Sequence, residues 1–432
     1  MTFQQKTFQR NLLRRRAFQQ GALQTRRSLL VGGAALFSLG LITQGEAHSG
    51  HHLGRVVGHA GKKAPITKNT QNTVSDIPAT TPIGPVQTLA RWACVLDDES
   101  GAVLLDKHAH EAMPPSSLTK MMTAYVTFGM LRVGRLKLDQ MLPVSERAYH
   151  MGGSSMFLKL GQYVAVKDLI QGMVIQSGND ACIVLAEGIA GSEESFVVLM
   201  NDTASKLGLK TSHFMNATGL PAENHYMSAY DVAYLALRLI HDFPEYYHFF
   251  SEKEFTFNGI RQENRNTLVV RGLADGLKTG HTNAGGFGLC ASSLREGRRV
   301  IVAVNGLPSA FARISEGDRL LQWAFANFET DEIVQRGEVV DQAPVWMGNM
   351  TSVPLVAGEG FKILLPHGWQ KNTHMSLDYT APLPAPLLAG EEVGQLTVTL
   401  PDNRFAHIPV VVGQTVTKLG FLGRVARRLH VD

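Results

Sequence analysis

A lysine set inside an otherwise apolar helix constrains this chain more than its composition does. In Pro114-Pro115-Ser116-Ser117-Leu118-Thr119-Lys120-Met121-Met122-Thr123-Ala124-Tyr125-Val126, two prolines stop whatever precedes, Ser116 can cap, and almost no polar face follows. The pattern predicts a helix that runs through a core and carries Lys120 in with it. Positions i and i+3 share a helix face, so Ser117 and Lys120 meet. Burial disfavours the ammonium form, and a neutral Lys120 can accept the proton of Ser117. Near the start of the helix, the Ser117 backbone N–H would also face a developing oxyanion.

The chain has 432 residues, too many for one ordinary core, and two domains with appendages are expected. With 44% hydrophobic and 18% charged residues it is not a disordered chain. Its net charge of +4 hints at nucleic acid only until it is located: residues 1–47 hold seven Lys/Arg against one acid, which leaves 34 Lys/Arg and 36 Asp/Glu, about −2, in the remainder. No nucleic-acid partner is expected. Residues 1–47 read instead as a signal peptide: a basic start, Thr25-Arg26-Arg27-Ser28-Leu29-Leu30, an apolar run to Thr43, and Gly45-Glu46-Ala47 for a peptidase. The paired arginines resemble a twin-arginine signal, with a general secretory signal as the alternative. Export to the periplasm is expected either way. Residues 48–86, with His48, His51, His52 and His59 among Gly, Lys, Thr and Pro, read as a flexible linker, and no metal is assigned. Cys94, Cys182 and Cys290 each stand in apolar surroundings and read as buried small hydrophobes.

Residues 87–330 form one organised region. A hairpin is expected over Arg91–Asp97 and Ala102–Asp106, turning at Asp98-Glu99-Ser100-Gly101. Helices follow at Val166–Ile175, Asp180–Ile189, Glu194–Lys206 and Ala229–His241. Strands return at Gly286–Ser293 and Arg299–Asn305. Strands at both ends and helices between predict one sheet with a helical cluster beside it, an α+β arrangement. Two triplets join the opening pair. Ser177-Gly178-Asn179 lies between two apolar helices, where a tight glycine turn would aim a hydroxyl and an amide into a cleft. Lys278-Thr279-Gly280 opens the late strands: the lysine supplies charge, the threonine binds a carboxylate, and the glycine lets substrate lie against the strand.

In the order Ser-x-x-Lys, Ser-x-Asn, Lys-Thr-Gly, this set is that of penicillin-binding proteins and class A β-lactamases. The chain resembles the low-molecular-mass penicillin-binding proteins that are serine-type D-alanyl-D-alanine carboxypeptidases, family S11. It is similar to them also in Gly153-Ser154-Ser155-Met156-Phe157-Leu158, Asn216-Ala217-Thr218-Gly219-Leu220-Pro221 with His225-Tyr226, Asn264-Arg265-Asn266 and Asp275–Thr282. The resemblance implies an α/β (α+β) β-lactamase/transpeptidase-like catalytic domain with an antiparallel sheet, followed by a small all-β domain. It implies that Ser117 attacks the D-Ala-D-Ala carbonyl of a peptidoglycan pentapeptide while Lys120 takes its proton, and that Ser177, beside Lys278, relays a proton to the leaving amine. It further implies that Asn179 holds substrate, that Thr279 and Arg313 bind the terminal carboxylate, that Gly280 borders the substrate, and that the Ser117 and His281 backbone N–H groups form the oxyanion hole. No cofactor is called for, and β-lactams would acylate the same serine. The middle triplet is Ser-Gly-Asn and no Glu-x-x-Leu-Asn occurs, which argues against a β-lactamase. A D,D-endopeptidase acting on crosslinks, or a non-hydrolytic wall-binding scaffold, are the alternatives.

From Asp331 short alternating runs, Gly337–Val345, Ser352–Val356, Phe361–Leu365, Met375–Tyr379, Val393–Leu400 and His407–Val412, predict a β-sandwich over 331–412 that serves as spacer or docking module. Residues 413–432, with Lys418, Arg424, Arg427 and Arg428 among Leu422, Val425 and Leu429, read as a basic amphipathic tail that could rest on the inner membrane.

Overall fold

The computed structural model describes residues 77–369, 373–400 and 404–420. The expected signal peptide, the linker up to residue 76 and the tail beyond residue 420 lie outside the described residues. Two compact units emerge: one takes the described residues up to 333 together with 361–369, the other those of 334–360 and from 373 onward.

The first unit is built on a five-stranded antiparallel sheet. Strands β1 (Trp92–Asp97), β2 (Val103–Lys107), β3 (Gly276–Thr282), β4 (Gly286–Arg295) and β5 (Arg298–Leu307) lie in the order β2-β1-β5-β4-β3. Both ends of the region contribute to this sheet, as expected from the strand pattern. Successive side chains of a strand point to opposite faces, and here both faces are covered. Trp92, Cys94, Leu96, Cys290, Ile301 and Ala303 face one core; Ala93, Val95, Leu289, Ala291, Val300, Val302 and Val304 face another. Two-sided burial explains why these strands read as unbroken apolar runs rather than as alternating ones. The turn between β4 and β5 places Glu296 at φ 49 and Gly297 at φ 82, the left-handed pair a tight hairpin needs.

The first core is filled by helices α1 (Lys120–Arg132), α2 (Val166–Val174), α3 (Asn179–Ala190), α4 (Glu193–Leu207) and α5 (Ala229–Asp242). The second is filled by α6 (Ala310–Asn327), whose Leu320, Leu321 and Ala324 are buried against the other face of the sheet. Sequence reading noted only Arg313 there. The missed signal was Ser309, whose side chain accepts the Ala312 N–H as a helix cap.

Three segment boundaries differ from expectation, two of them in the first unit. The end of the expected linker is part of the fold: Ala79 is fully buried, and bridges join Ala79 to Val86 and Thr80 to Asp106. Phe361–Pro366 pairs with Phe328–Val334 and is assigned to the first unit, unlike the residues just before it in the sequence.

The second unit is all β. Its strands form one six-stranded sheet in the order His374–Tyr379, Glu392–Thr399, Phe405–Val412, Ser352–Ala357, Val339–Trp346, Leu383–Pro384, with only the last pair parallel. Alternate residues are buried, such as Val353, Leu355 and Ala357, and Ile408, Val410 and Val412. The start of the expected tail belongs to this unit, for Val416 and Leu387 exchange backbone hydrogen bonds and Gly413 N–H donates to Pro354. No described helix is long and apolar enough to cross a membrane.

Candidate active site

Ser117 sits one turn earlier than the apolar pattern suggests. Ser116–Thr119 is a 3-10 turn, and α1 begins at Lys120. Ser116 does not cap it. Its backbone is left-handed at φ 50, and its hydroxyl donates to the Pro115 carbonyl at 2.6 Å. Two glycines hold the turn. A Cβ on Gly219, which has φ 84, would stand 1.8 Å from the Ser116 carbonyl oxygen, and one on Gly280 would stand 2.0 Å from Ser116 Oγ. The bare face of Gly280 therefore admits the nucleophile turn, whereas the sequence reading gave that space to substrate. Asn305 Nδ2 donates to the Pro114 carbonyl at 2.9 Å and ties the same turn to β5.

Lys120 is fully buried, while Ser117 keeps partial access to solvent. The lysine Nζ lies 3.0 Å from Ser117 Oγ, 2.7 Å from Asn179 Oδ1 and 2.6 Å from the Thr218 carbonyl. A neutral amine has two N–H donors and one lone pair. Asn179 Oδ1 and the Thr218 carbonyl can only accept, so they occupy both donors. The lone pair is left facing the one partner that carries a proton, Ser117. Loss of hydration on burial brings the Lys120 pKa down to about 8.

Ser177 falls between α2 and α3 as expected, with a difference in the turn. The left-handed residue is Ser177 itself, at φ 68, and not Gly178. Its Oγ is buried without a hydrogen-bond partner. A left-handed backbone and a buried hydroxyl that no protein group bonds set Ser177 apart from an ordinary turn residue. Asn179 is 4% exposed, and its Nδ2 donates to the Gly152 carbonyl at 2.7 Å. Next to it Asp180 accepts from Ser155 Oγ and from the Met156 and Leu158 backbone, which clamps the loop over 152–158 onto the start of α3.

Strand β3 is an edge of the sheet and brings the last triplet to the nucleophile turn. Lys278 is 1% exposed with Nζ 3.1 Å from the Thr279 carbonyl. Burial first, then the neighbouring Lys120 and Arg265, push its pKa well below the usual lysine range. Thr279 is 4% exposed; the His281 ring is exposed and packs 4.0 Å from the Phe287 ring. Arg313, on the first turn of α6, donates from Nη1 to the Gly280 carbonyl at 3.3 Å; burial and the nearby Arg265 lower its pKa to about 10. Arg265 donates from Nη1 to Ser154 Oγ at 2.7 Å. Arg265 and Arg313 thus meet beside Lys120 and Lys278 without an ion-pair partner for any of the four among the described residues, and the two guanidinium groups favour an anionic ligand.

Residues 77–309, more than half of the chain, match the family model of D-alanyl-D-alanine carboxypeptidases, peptidase family S11. The chain belongs to this family. Residues 328–418 match the model of the penicillin-binding protein 5 C-terminal domain, which agrees with the all-β second unit. Among curated S11 relatives, the D-alanyl-D-alanine carboxypeptidase DacC of Escherichia coli (strain K12) is 42% identical over 345 residues, 78% of this chain and 86% of that protein. Penicillin binding protein 5 from Haemophilus influenzae is similar in structure with a TM-score of 0.62 at 37% identity, covering 77% of this chain and 99% of that one. Penicillin-Binding Protein D2 from Listeria monocytogenes, solved in its ampicillin-bound form, has a TM-score of 0.51 at 29% identity over 56% of this chain and 98% of its own.

Three further residues of this S11 site have no signal in the sequence. Thr218 contributes through its carbonyl, Arg265 through Ser154, and His225 by hydrogen-bonding Thr119 Oγ1 at 2.8 Å beside Lys120. Their segments carry the family resemblance, yet backbone carbonyls and partners 98 to 111 residues away leave no local pattern. Among the described residues no three His, Cys, Asp or Glu side chains converge as a metal site.

Proposed function

We propose that this protein is an exported, periplasmic serine-type D-Ala-D-Ala carboxypeptidase that removes the terminal D-alanine of peptidoglycan pentapeptides. The observation that carries the mechanism is the Lys120 amine at 3.0 Å from Ser117 Oγ with its other two partners restricted to accepting. Ser117 Oγ attacks the penultimate D-alanine carbonyl and its proton passes to Lys120. The amide C–N bond breaks, and the leaving amine takes this proton from Lys120 by way of Ser177 Oγ, a hydroxyl that no protein group bonds. Water cleaves the Ser117 ester and returns the hydroxyl. The substrate's terminal carboxylate is the anion that Thr279 and Arg313 hold, with Lys278 beside them, while Asn179 binds a peptide group. The Ser117 and His281 N–H groups stabilise the oxyanion. β-Lactams acylate Ser117 and stop at the ester. The β domain is a spacer, and the basic tail rests peripherally on the inner membrane.

The test is D-alanine release from a synthetic pentapeptide together with labelling by a fluorescent penicillin. Wild type should release D-alanine and take the label, and Ser117→Ala should do neither. A folded wild-type protein inert in both assays would leave a wall-binding scaffold as the surviving reading.

A further inference from the structure

Arg313 also borders a second space. Beside it opens a cavity of about 540 Å³, between the first turns of α6 and the residues that follow Asn266. Arg313 belongs to both spaces: Nη1 reaches the Gly280 carbonyl of β3, and its buried Nε has no partner. At the cavity wall Phe311 is 82% exposed, a large ring kept in water although α6 has a buried face available one residue away at Ala312. Ile314 lies beside it, partly buried. Arg271 is exposed and lacks an ion-pair partner among the described residues. Arg319 is neutralised by Glu316 at 2.6 Å, and Asp318 is the one lining carboxylate. Arg271 and Arg313 outweigh it, so the cavity is apolar at one wall and net positive at another.

If Arg313 grips the carboxylate of the departing residue, the side chain of that residue projects close by. For D-alanine it is a methyl group, which leaves a space of this size unfilled. We propose that the cavity receives the side chain of a leaving D-residue longer than alanine, an aliphatic stem packed on Phe311 and Ile314 and ending in a carboxylate at Arg271. This rests on the carboxypeptidase reading and deepens it. The bonds are unchanged: the Ser117 ester forms, the amide C–N bond breaks, the longer amino acid leaves with a protonated amine, and water frees the serine. A leaving residue that is part of a second peptide meets the same requirement, so the cavity also bears on whether crosslinks are cut.

The test compares peptides ending in D-Ala-D-Ala, D-Ala-D-norleucine and D-Ala-D-2-aminoadipate, with the full chain and its Arg271→Glu and Phe311→Ala variants. Wild type should release aminoadipate with kcat/KM within about tenfold of D-alanine. Arg271→Glu should lower the aminoadipate-to-alanine ratio by about tenfold and leave the norleucine-to-alanine ratio in place. Phe311→Ala should lower both ratios. Release of D-alanine alone by wild type, or ratios that neither variant moves, would overturn the inference and spare the carboxypeptidase reading. Release of none of the three residues would overturn both.

Discussion

Asn179 Oδ1 lies 2.7 Å from Lys120 Nζ, and the amide cannot turn around, because its Nδ2 is committed to the Gly152 carbonyl at 2.7 Å. The lysine is therefore met by an acceptor that carries no charge. A carboxylate at the same place would attract the ammonium form; the carboxamide binds the amine without fixing a proton on it. Together with burial, this keeps Lys120 available as a base, and its partners decide which direction its lone pair takes.

Lys120 must be neutral to accept a proton, so acylation should climb as pH rises through about 8 and level off above it. Asn179→Asp should hold the ammonium form, move that limb upward by about one unit or more, and slow labelling at pH 7 by at least about tenfold. Stopped-flow acylation across pH 6 to 10 reads both effects. An unmoved limb in the variant would assign the titration to another group.

Ser177 is held at φ 68, where a side chain costs about 1 kcal/mol and glycine costs little. Ser177→Gly should be as stable as wild type or more so by up to about 1 kcal/mol, while turnover of a pentapeptide falls by about a hundredfold or more. Thermal unfolding beside D-alanine release separates the two, since a merely structural serine would lose stability and activity together.

Gly219 has φ 84 and its absent Cβ would stand 1.8 Å from the Ser116 carbonyl oxygen, a backbone atom that cannot swing away. Gly219→Ala should cost about 2 kcal/mol or more and displace both the nucleophile turn and the neighbouring Thr218 carbonyl. Penicillin labelling at a temperature where the variant is still folded should then fall sharply.

His225 is 8% exposed; its Nδ1 accepts the Met215 N–H at 3.1 Å, and its Nε2 faces Thr119 Oγ1. Burial, with His213 adding to it, lowers its pKa from 6.5 to about 4. The unfolded chain binds this proton more readily, so the stabilisation is present above pH 6.5 and is lost as pH falls towards 4, by about 3 kcal/mol in all. Urea unfolding of wild type and His225→Gln at pH 7, 5.5 and 4.5 checks the sign: the wild type should lose more stability on acidification than the variant.

The sequence by itself determined whatever depends on near neighbours. The i, i+3 spacing put Ser117 against Lys120, two-sided apolar runs gave the sheet, and the helix limits of α2 to α5 came within a residue of expectation, because periodicity and turn chemistry are local. Tertiary structure decided the rest. Thr218 and Asn179 reach Lys120 from 98 and 59 residues away, Gly280 is bare for the sake of Ser116, and Phe361–Pro366 leaves its sequence neighbours for the first unit. The physical reason is that the basicity of a buried amine is set by which groups surround it after the chain has closed. Backbone carbonyls and the space a missing methyl group leaves have no letter in the sequence.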